Sequence, residues 1–395
     1  MSRMGGARFV PFAYGFRPFF FLGGLYAAVA VGTWLLIYRA GSMPLGQMPP
    51  QLWHGHEMTY GFVAAAIAGF MLTAVPSWTG SRGYAGGPLK LLVLAWLAGR
   101  MSFMFADKLP FVVFALLELA FIPALIVTIA PSLLRTVNRN TPLLLVLLLF
   151  WSGDLLFVLG VSTADVAMST RGLRVGLSLV LVLITVIGGR IVPAFTRNAL
   201  RERGIVVNMR GNALLEKFTI GAMLAYAAAN IASPYYPLTG AIAAVAALAQ
   251  FARLFGWHGT RTASMPIVWV LHVAYLWLPT GLLLQALFVL GEFSFAAYWQ
   301  HALGAGVAGT MILAVMTRAS LGHTARPIVA HWSIALAYVL LVLSVVARVF
   351  GPTLLPFPYA DTILIAGLLW SAAFAIFVLV YAPVLLMARL DGKPG

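Results

Sequence analysis

Cysteine is absent from the 395 residues, and acidic residues number only ten. The first absence excludes a disulfide framework, a thiolate-held iron–sulfur cluster and the C-x-x-C-H attachment of a covalent haem, so any haem must be held non-covalently. The scarcity of acids, set against 25 Lys and Arg, leaves a charged fraction of 9% where soluble domains carry about 25%. What fills the space is apolar. Hydrophobic residues make up 62% of the chain and mean hydropathy is +0.96, which places it among polytopic membrane proteins. A formal net charge of +15 would point to nucleic acid in a soluble protein. Spread through short loops it is better explained as a topology signal, and no nucleic-acid partner is expected. The N-terminal stretch carries Arg3 and Arg8 but no small-residue cleavage site after an apolar core, so the opening apolar run reads as a retained span.

A bilayer core needs about 20 apolar residues as helix. Twelve stretches qualify, at about 17–38, 56–75, 88–106, 110–130, 142–160, 174–193, 213–231, 239–257, 266–290, 299–317, 329–350 and 361–387. Breakers sit between them, among them Pro44, Pro49 and Pro50, then Gly86, Gly87 and Pro88, and later Gly351, Pro352, Pro356 and Pro358. Alternation of the loops puts only Arg39, Arg100, Lys108, Arg171, Arg174 and Arg348 on one side, and the remaining basic residues on the other. Both termini are therefore expected in the cytoplasm. The fold expected is all-α, one transmembrane domain over 1–395 in the bilayer. A basic loop at about 193–212, which includes Arg210, divides it into potential halves, 1–200 and 201–395, although no convincing internal repeat is visible.

Seven histidines fall in two groups near opposite membrane faces. An imidazole among apolar helices is costly unless something binds it, and it is the commonest metal ligand. His54, His56 and His301 share the outer leaflet, beside Glu57, Arg100, Glu118 and Asp154. In Trp53-His54-Gly55-His56-Glu57-Met58, an extended backbone would let two imidazoles converge on one ion, whereas a helix would turn them about 200° apart, each toward a different centre. The bland alternatives are that His54 and His56 sit at headgroup depth, and that Arg100 merely neutralises Glu118 or Asp154. Equal depth leads to the expectation that His56 and His301 share an outer centre, with His54 as a further ligand. His258, His272, His323 and His331 form the inner group, with His272 too deep to be a solvated loop residue. It is expected to build a second centre with His258 or His323. Arg17, Arg190, Arg197 and Arg318 either cradle haem propionates or hold the topology. Gly304-Ala305-Gly306-Val307-Ala308-Gly309 matches the G-x-G-x-x-G dinucleotide pattern, but it lies inside a span and reads as helix packing.

Four stretches together resemble the NnrS family: Tyr14-Gly15-Phe16-Arg17-Pro18-Phe19-Phe20, Trp53-His54-Gly55-His56-Glu57-Met58, the run from Gly69 to Gly80, and the run from Arg190 to Asn198. Leu271-His272, His301-Ala302 and Gly322-His323-Thr324 fit its later part. The resemblance implies a twelve-span bacterial inner-membrane protein with haem and copper, associated with nitric-oxide metabolism and resistance to nitrosative stress. It supports His54, His56, His272, His301 and His323 as functional, says less of His258, and leaves open which histidine holds which metal. The resulting assignment is a non-covalent haem b and copper. His56, His301, His272, His323, His258, Arg17 and Arg190 are the cofactor candidates, and His54, His56, His301 and His272 the metal candidates. Nitric oxide is the small-molecule ligand, the electron donor is unassigned, and Glu57, Glu118 and Asp154 form a candidate proton relay for redox turnover. The competing readings are a twelve-helix secondary transporter, and a haem or copper sensor or assembly factor without turnover.

Overall fold

The structure is a computed structural model that describes residues 8–40, 49–136, 138–209 and 212–393. Arg3, Pro44 and Arg210 lie outside the described residues. The chain is 81% helical, with no strand among the described residues, so the all-α expectation holds. Among the described residues, twelve long helices run in chain order: α1 (Phe16–Ala40), α2 (Pro50–Thr79), α3 (Gly86–Met104), α4 (Phe111–Leu134), α5 (Leu143–Ser162), α6 (Val166–Glu202), α7 (Ala213–Ala232), α8 (Pro237–Phe255), α9 (Pro266–Gly291), α10 (Ser294–His323), α11 (Trp332–Leu354) and α12 (Tyr359–Leu386). Ten of these, among the described residues, are long and apolar enough to cross a membrane. The other two, α3 and α7, occupy the third and seventh expected positions but carry Lys90 and Arg100, and Glu216 and Lys217.

The helix ends follow local chemistry. Proline opens α2, α8 and α9, where its missing N–H costs nothing. Asn212 caps α7 by accepting from the N–H groups of Leu214 and Leu215, and the His331 side chain accepts from Ser333 N at α11. That cap gives His331 a structural role. Gly80, left-handed at φ 68°, ends α2 with its N–H on the Pro76 carbonyl.

Three expected boundaries shift. The second span begins at Pro50 rather than near residue 56, so His54 and His56 lie inside a helix. The sixth continues to Glu202 through much of the expected basic loop, and the tenth runs from Ser294 to His323, making His323 a helix-terminal residue instead of a loop residue. Hydropathy locates the apolar middle of a helix. It misses amphipathic ends, which stay helical by packing rather than by lipid contact. These same three helices each contain a π-helical stretch, Glu57–Val63 in α2, Ile184–Gly188 in α6 and Ala302–Gly309 in α10. Such wide turns often mark functional positions. Two of the three begin directly after a histidine of the outer group, His56 and His301.

The chain divides into two compact units. The first takes residues up to Gly176, Met316–Ile328 and those from Phe374 onward; the second takes Leu177–Val315 and Val329–Ala373. In the first, Gly23 packs on Ala65 and Gly69 on Phe19 and Phe20, so small residues bring α1 and α2 close. In the second, Gly306 lies against Trp277 and Gly309 against Trp370, which supports packing as the role of the glycine run in α10.

Gly189 is the most tightly constrained of these positions in the second unit, because a Cβ there would lie 1.9 Å from Arg253 Nη2. Gly189→Ala is expected to cost about 1–3 kcal/mol by forcing the guanidinium aside. Gly32→Ala, where a Cβ meets nothing within 4 Å, should change stability by less than about 0.5 kcal/mol. Unfolding in detergent, followed by circular dichroism, compares the two.

Candidate functional site

The helical backbone of α2 settles how the H-x-H pair points. His54 stacks on Trp34 of α1, ring centroids 4.9 Å apart, while His56 turns into the first unit's interior. There it lies between Phe103 and Phe157, at 4.4 and 4.5 Å, with Tyr60 at 5.2 Å. His56 sits about 9 Å along the helix from Pro50, and it is completely buried.

Both imidazole nitrogens of His56 face carboxylates. Nδ1 is 2.9 Å from Glu57 Oε1, and Nε2 is 2.9 Å from Asp154 Oδ1 and 3.6 Å from Glu118 Oε1. Arg100 crosses the same space, with Nη1 donating to Glu57 Oε2 at 2.6 Å and Nη2 donating to Glu118 Oε1. The Tyr26 hydroxyl donates to Glu57 Oε2. Five helices, α1 to α5, thus contribute to one polar cluster. Room for it comes from two glycines: a Cβ at Gly61 would crowd Arg100, Tyr26 and Glu57, and one at Gly99 would crowd Glu118 Oε2.

Charge counting defines what this cluster can do. Three carboxylates surround one guanidinium, and an apolar interior does not tolerate the two negative charges left over when the imidazole is neutral. A ring flanked by acceptors on both sides is satisfied only when it carries two N–H groups or when a neighbouring carboxyl carries a proton. The cluster is therefore a place that holds protons. The same geometry also suits a metal, since ligand atoms of His56, Glu118 and Asp154 lie within 4.8 Å of one another. One imidazole and two carboxylates favour a hard or borderline cation over a soft one.

The second unit contains a different arrangement around His272, on α9. The Thr196 hydroxyl donates to the Val192 carbonyl at 2.8 Å, so its oxygen accepts from His272 Nε2 at 2.7 Å. This arrangement suits the tautomer with its proton on Nε2. Nδ1 is buried and without a hydrogen-bond partner. Gly259 packs on the imidazole face, where a Cβ would lie within 2.7 Å of two ring atoms, and Trp257 approaches edge-on at 6.5 Å. Metal-binding histidines are held this way, one nitrogen donating to a fixed partner and the other free to ligate. His258 precedes Gly259 in the left-handed region at φ 54°, which is uncommon for a non-glycine residue.

The remaining candidates are distributed as follows. His301 lies in the second unit at the start of the α10 π stretch, and His258 and exposed Arg190 also belong to that unit. His323 and Arg17 belong to the first. There His323 contacts Tyr14 and Phe16, and Arg17 Nη1 donates to the carbonyls of Leu385 and Met387.

Sequence reasoning overlooked Tyr26, which looked like one more aromatic in an apolar span. It also overlooked a network in the second unit. Arg253 donates from Nε and Nη2 to the Glu216 carboxylate and from Nη1 to the Thr185 carbonyl and the Tyr275 hydroxyl. Tyr275 in turn donates to Gln250 Oε1, and Gln250 Nε2 donates to Thr185 Oγ1. Thr185 belongs to the π stretch of α6, so Arg253 serves a carbonyl of that wide turn. Arg253 lies near a helix end and reads from sequence as a topology charge.

Helices of this length around buried ionisable side chains define a polytopic membrane protein whose polar chemistry is internal. The chain belongs to the NnrS family: the sequence model described as NnrS protein matches residues 10–389. No curated protein matches the chain. Family membership and the membrane bundle together fit a nitric-oxide-related membrane protein.

Arg100 balances two carboxylates at once, so Arg100→Met should destabilise the protein by about 3–5 kcal/mol. Adding Glu118→Gln to that variant should recover part of the loss, because one stranded charge is then gone. With Glu118→Gln alone completing the cycle, losses that simply add would show that the two residues are not coupled; unfolding in detergent is the measurement.

Proposed function

We propose that the protein is a twelve-span bacterial inner-membrane protein, both termini cytoplasmic, that binds haem b and copper and handles nitric oxide by redox turnover. The observation that carries the cofactor reading is His272, whose Nε2–H is committed to Thr196 while its Nδ1 lone pair is buried and unspent. A buried acceptor without a partner costs about 1–3 kcal/mol, which coordination to a metal would relieve. His272 fits a haem or copper ligand on that ground, and the absence of cysteine leaves non-covalent attachment. A haem held by His272 would supply the binding of nitric oxide.

The cluster of the first unit suits the delivery of protons to redox turnover. Reductive coupling of two nitric oxide molecules to nitrous oxide and water consumes two protons and two electrons, the electrons coming from an external donor. His56 lies at hydrogen-bonding distance from the carboxyls of Glu57 and Asp154, and Glu118 is 3.6 Å away, so the four groups can share protons. Arg100 keeps Glu57 and Glu118 oriented, and Tyr26 holds the second oxygen of Glu57. Phe103 and Phe157 cover the faces of the imidazole, restricting transfer to its nitrogens.

Visible spectroscopy with metal analysis distinguishes this reading from a transporter. Purified protein from haem-replete cells should be coloured, and acid–acetone should extract the pigment from the polypeptide. A colourless, metal-free preparation would overturn the proposal. His272→Ala should lower haem or copper per polypeptide by at least half, and unchanged contents would leave His272 as a core residue bonded to Thr196. Glu118→Gln or Asp154→Asn should slow nitric-oxide consumption at least about tenfold with the haem spectrum preserved, since positioned proton transfer contributes about 10²–10⁴ in rate. Unaltered consumption would sink the relay role.

A further inference from the structure

His56, Glu118 and Asp154 stand where three ligands of a single cation would stand. Among the described residues they are the one group of three His, Asp or Glu side chains whose ligand atoms lie within 4.8 Å of one another. They come from three helices, α2, α4 and α5, and none of the side chains is more than 3% exposed. His56 Nε2 is 2.9 Å from Asp154 Oδ1 and 3.6 Å from Glu118 Oε1. Neighbouring ligand atoms on a metal about 2.1 Å away are about 3.0 Å apart in an octahedron and about 3.4 Å apart in a tetrahedron. Both observed separations lie close to those edges, so side-chain adjustment suffices to bring the donors onto one ion.

Two observations outside that spacing also point to a ligand. Glu118 Oε2 is buried with no hydrogen-bond partner, because Arg100 engages only the other oxygen of the carboxylate. One donor atom of the cluster is therefore unspent, which closed ion pairing would not leave. The second observation is charge. Glu57, Glu118 and Asp154 set against Arg100 leave two negative charges around a neutral imidazole. A single divalent cation cancels them, whereas a monovalent one leaves a charge uncompensated in an apolar interior.

We propose that His56 Nε2, Glu118 and Asp154 form a binding site for a divalent cation of the hard or borderline class, additional to the centre at His272. One imidazole with two carboxylates suits manganese(II) or zinc(II) and not the soft copper(I) ion. The surroundings agree. His56 Nδ1 faces Glu57 Oε1 at 2.9 Å, and Glu57 is held in turn by Arg100 and the Tyr26 hydroxyl. A ligating histidine is ordinarily oriented in this way, its second nitrogen on a carboxylate that is itself hydrogen-bonded. The cation and the shared protons are alternative occupants of one cluster, so the inference does not rest on the relay, and it does not rest on haem or copper at His272.

The test uses the full-length protein, purified in detergent without chelator from cells grown with added manganese, so that the site loads while the chain folds. Wild type and a Lys108→Gln control should hold close to one manganese per polypeptide by metal analysis, and pulsed electron paramagnetic resonance should show one imidazole nitrogen coupled to the ion. Asp154→Asn and Glu118→Gln should each retain at least about tenfold less manganese, the order by which altered ligand shells lower affinity. Zinc at the same stoichiometry, lost from the same variants, equally supports a divalent site of this class. Wild type with neither manganese nor zinc, or manganese without nitrogen coupling, would overturn the proposal before any variant is compared. So would copper that falls in Asp154→Asn in their place, because the cluster would then be the copper centre itself. A loss of haem or copper in His272→Ala is read separately, so either reading can fail while the other stands.

Discussion

An apolar bundle cannot bury unpaired charge, and the first unit is organised around that constraint. Arg100 is the one guanidinium placed among three carboxylates, and it holds two of them, Glu57 and Glu118, on different helices. The third, Asp154, is left to His56. Because each contact joins a different pair of helices among α2 to α5, the electrostatic requirement also fixes how these helices register. Glycines at 61 and 99 exist at the points where the polar groups need space that a methyl would fill.

Wide helical turns recur beside the polar groups. The π stretch after His56 contains Gly61, which makes room for Arg100 and whose carbonyl accepts from Trp96 Nε1 at 3.0 Å. The stretch in α6 presents the Thr185 carbonyl to Arg253. A π turn inserts an extra residue and loosens the regular ladder, so carbonyls become available to side chains that a regular helix would not serve. Among the described residues, the helices with such turns are α2, α6 and α10, each four helices from the next. No repeat is visible in the amino-acid sequence, since a π turn depends on local packing and leaves no fixed motif.

The two histidine environments differ in what they leave open. His56 has both nitrogens engaged by carboxylates, so any metal there would replace an existing contact. His272 has one nitrogen committed and one bare. The first arrangement is suited to storing protons or a hard cation, the second to donating a lone pair.

Composition and hydropathy determined that the chain is an all-α membrane bundle, because a run of about 20 apolar residues has few other stable fates in or out of a bilayer. The same reading located Glu57, Arg100, Glu118 and Asp154 as groups at similar depth, since charges inside spans are few enough to be conspicuous. It did not decide how they pair. That His56 lies between Glu57 and Asp154, that His54 turns away onto Trp34, and that Tyr26 joins the cluster all depend on helix rotation, and spacing along one helix does not specify its neighbours. Thr196 and Gly259 illustrate the same limit. Neither residue is distinctive in sequence, yet one engages His272 Nε2 and the other packs on its ring. The reason is physical: burial is a property of a segment's composition and is written locally, whereas a hydrogen-bond partner 76 residues away, as Thr196 is from His272, exists only after the helices have packed.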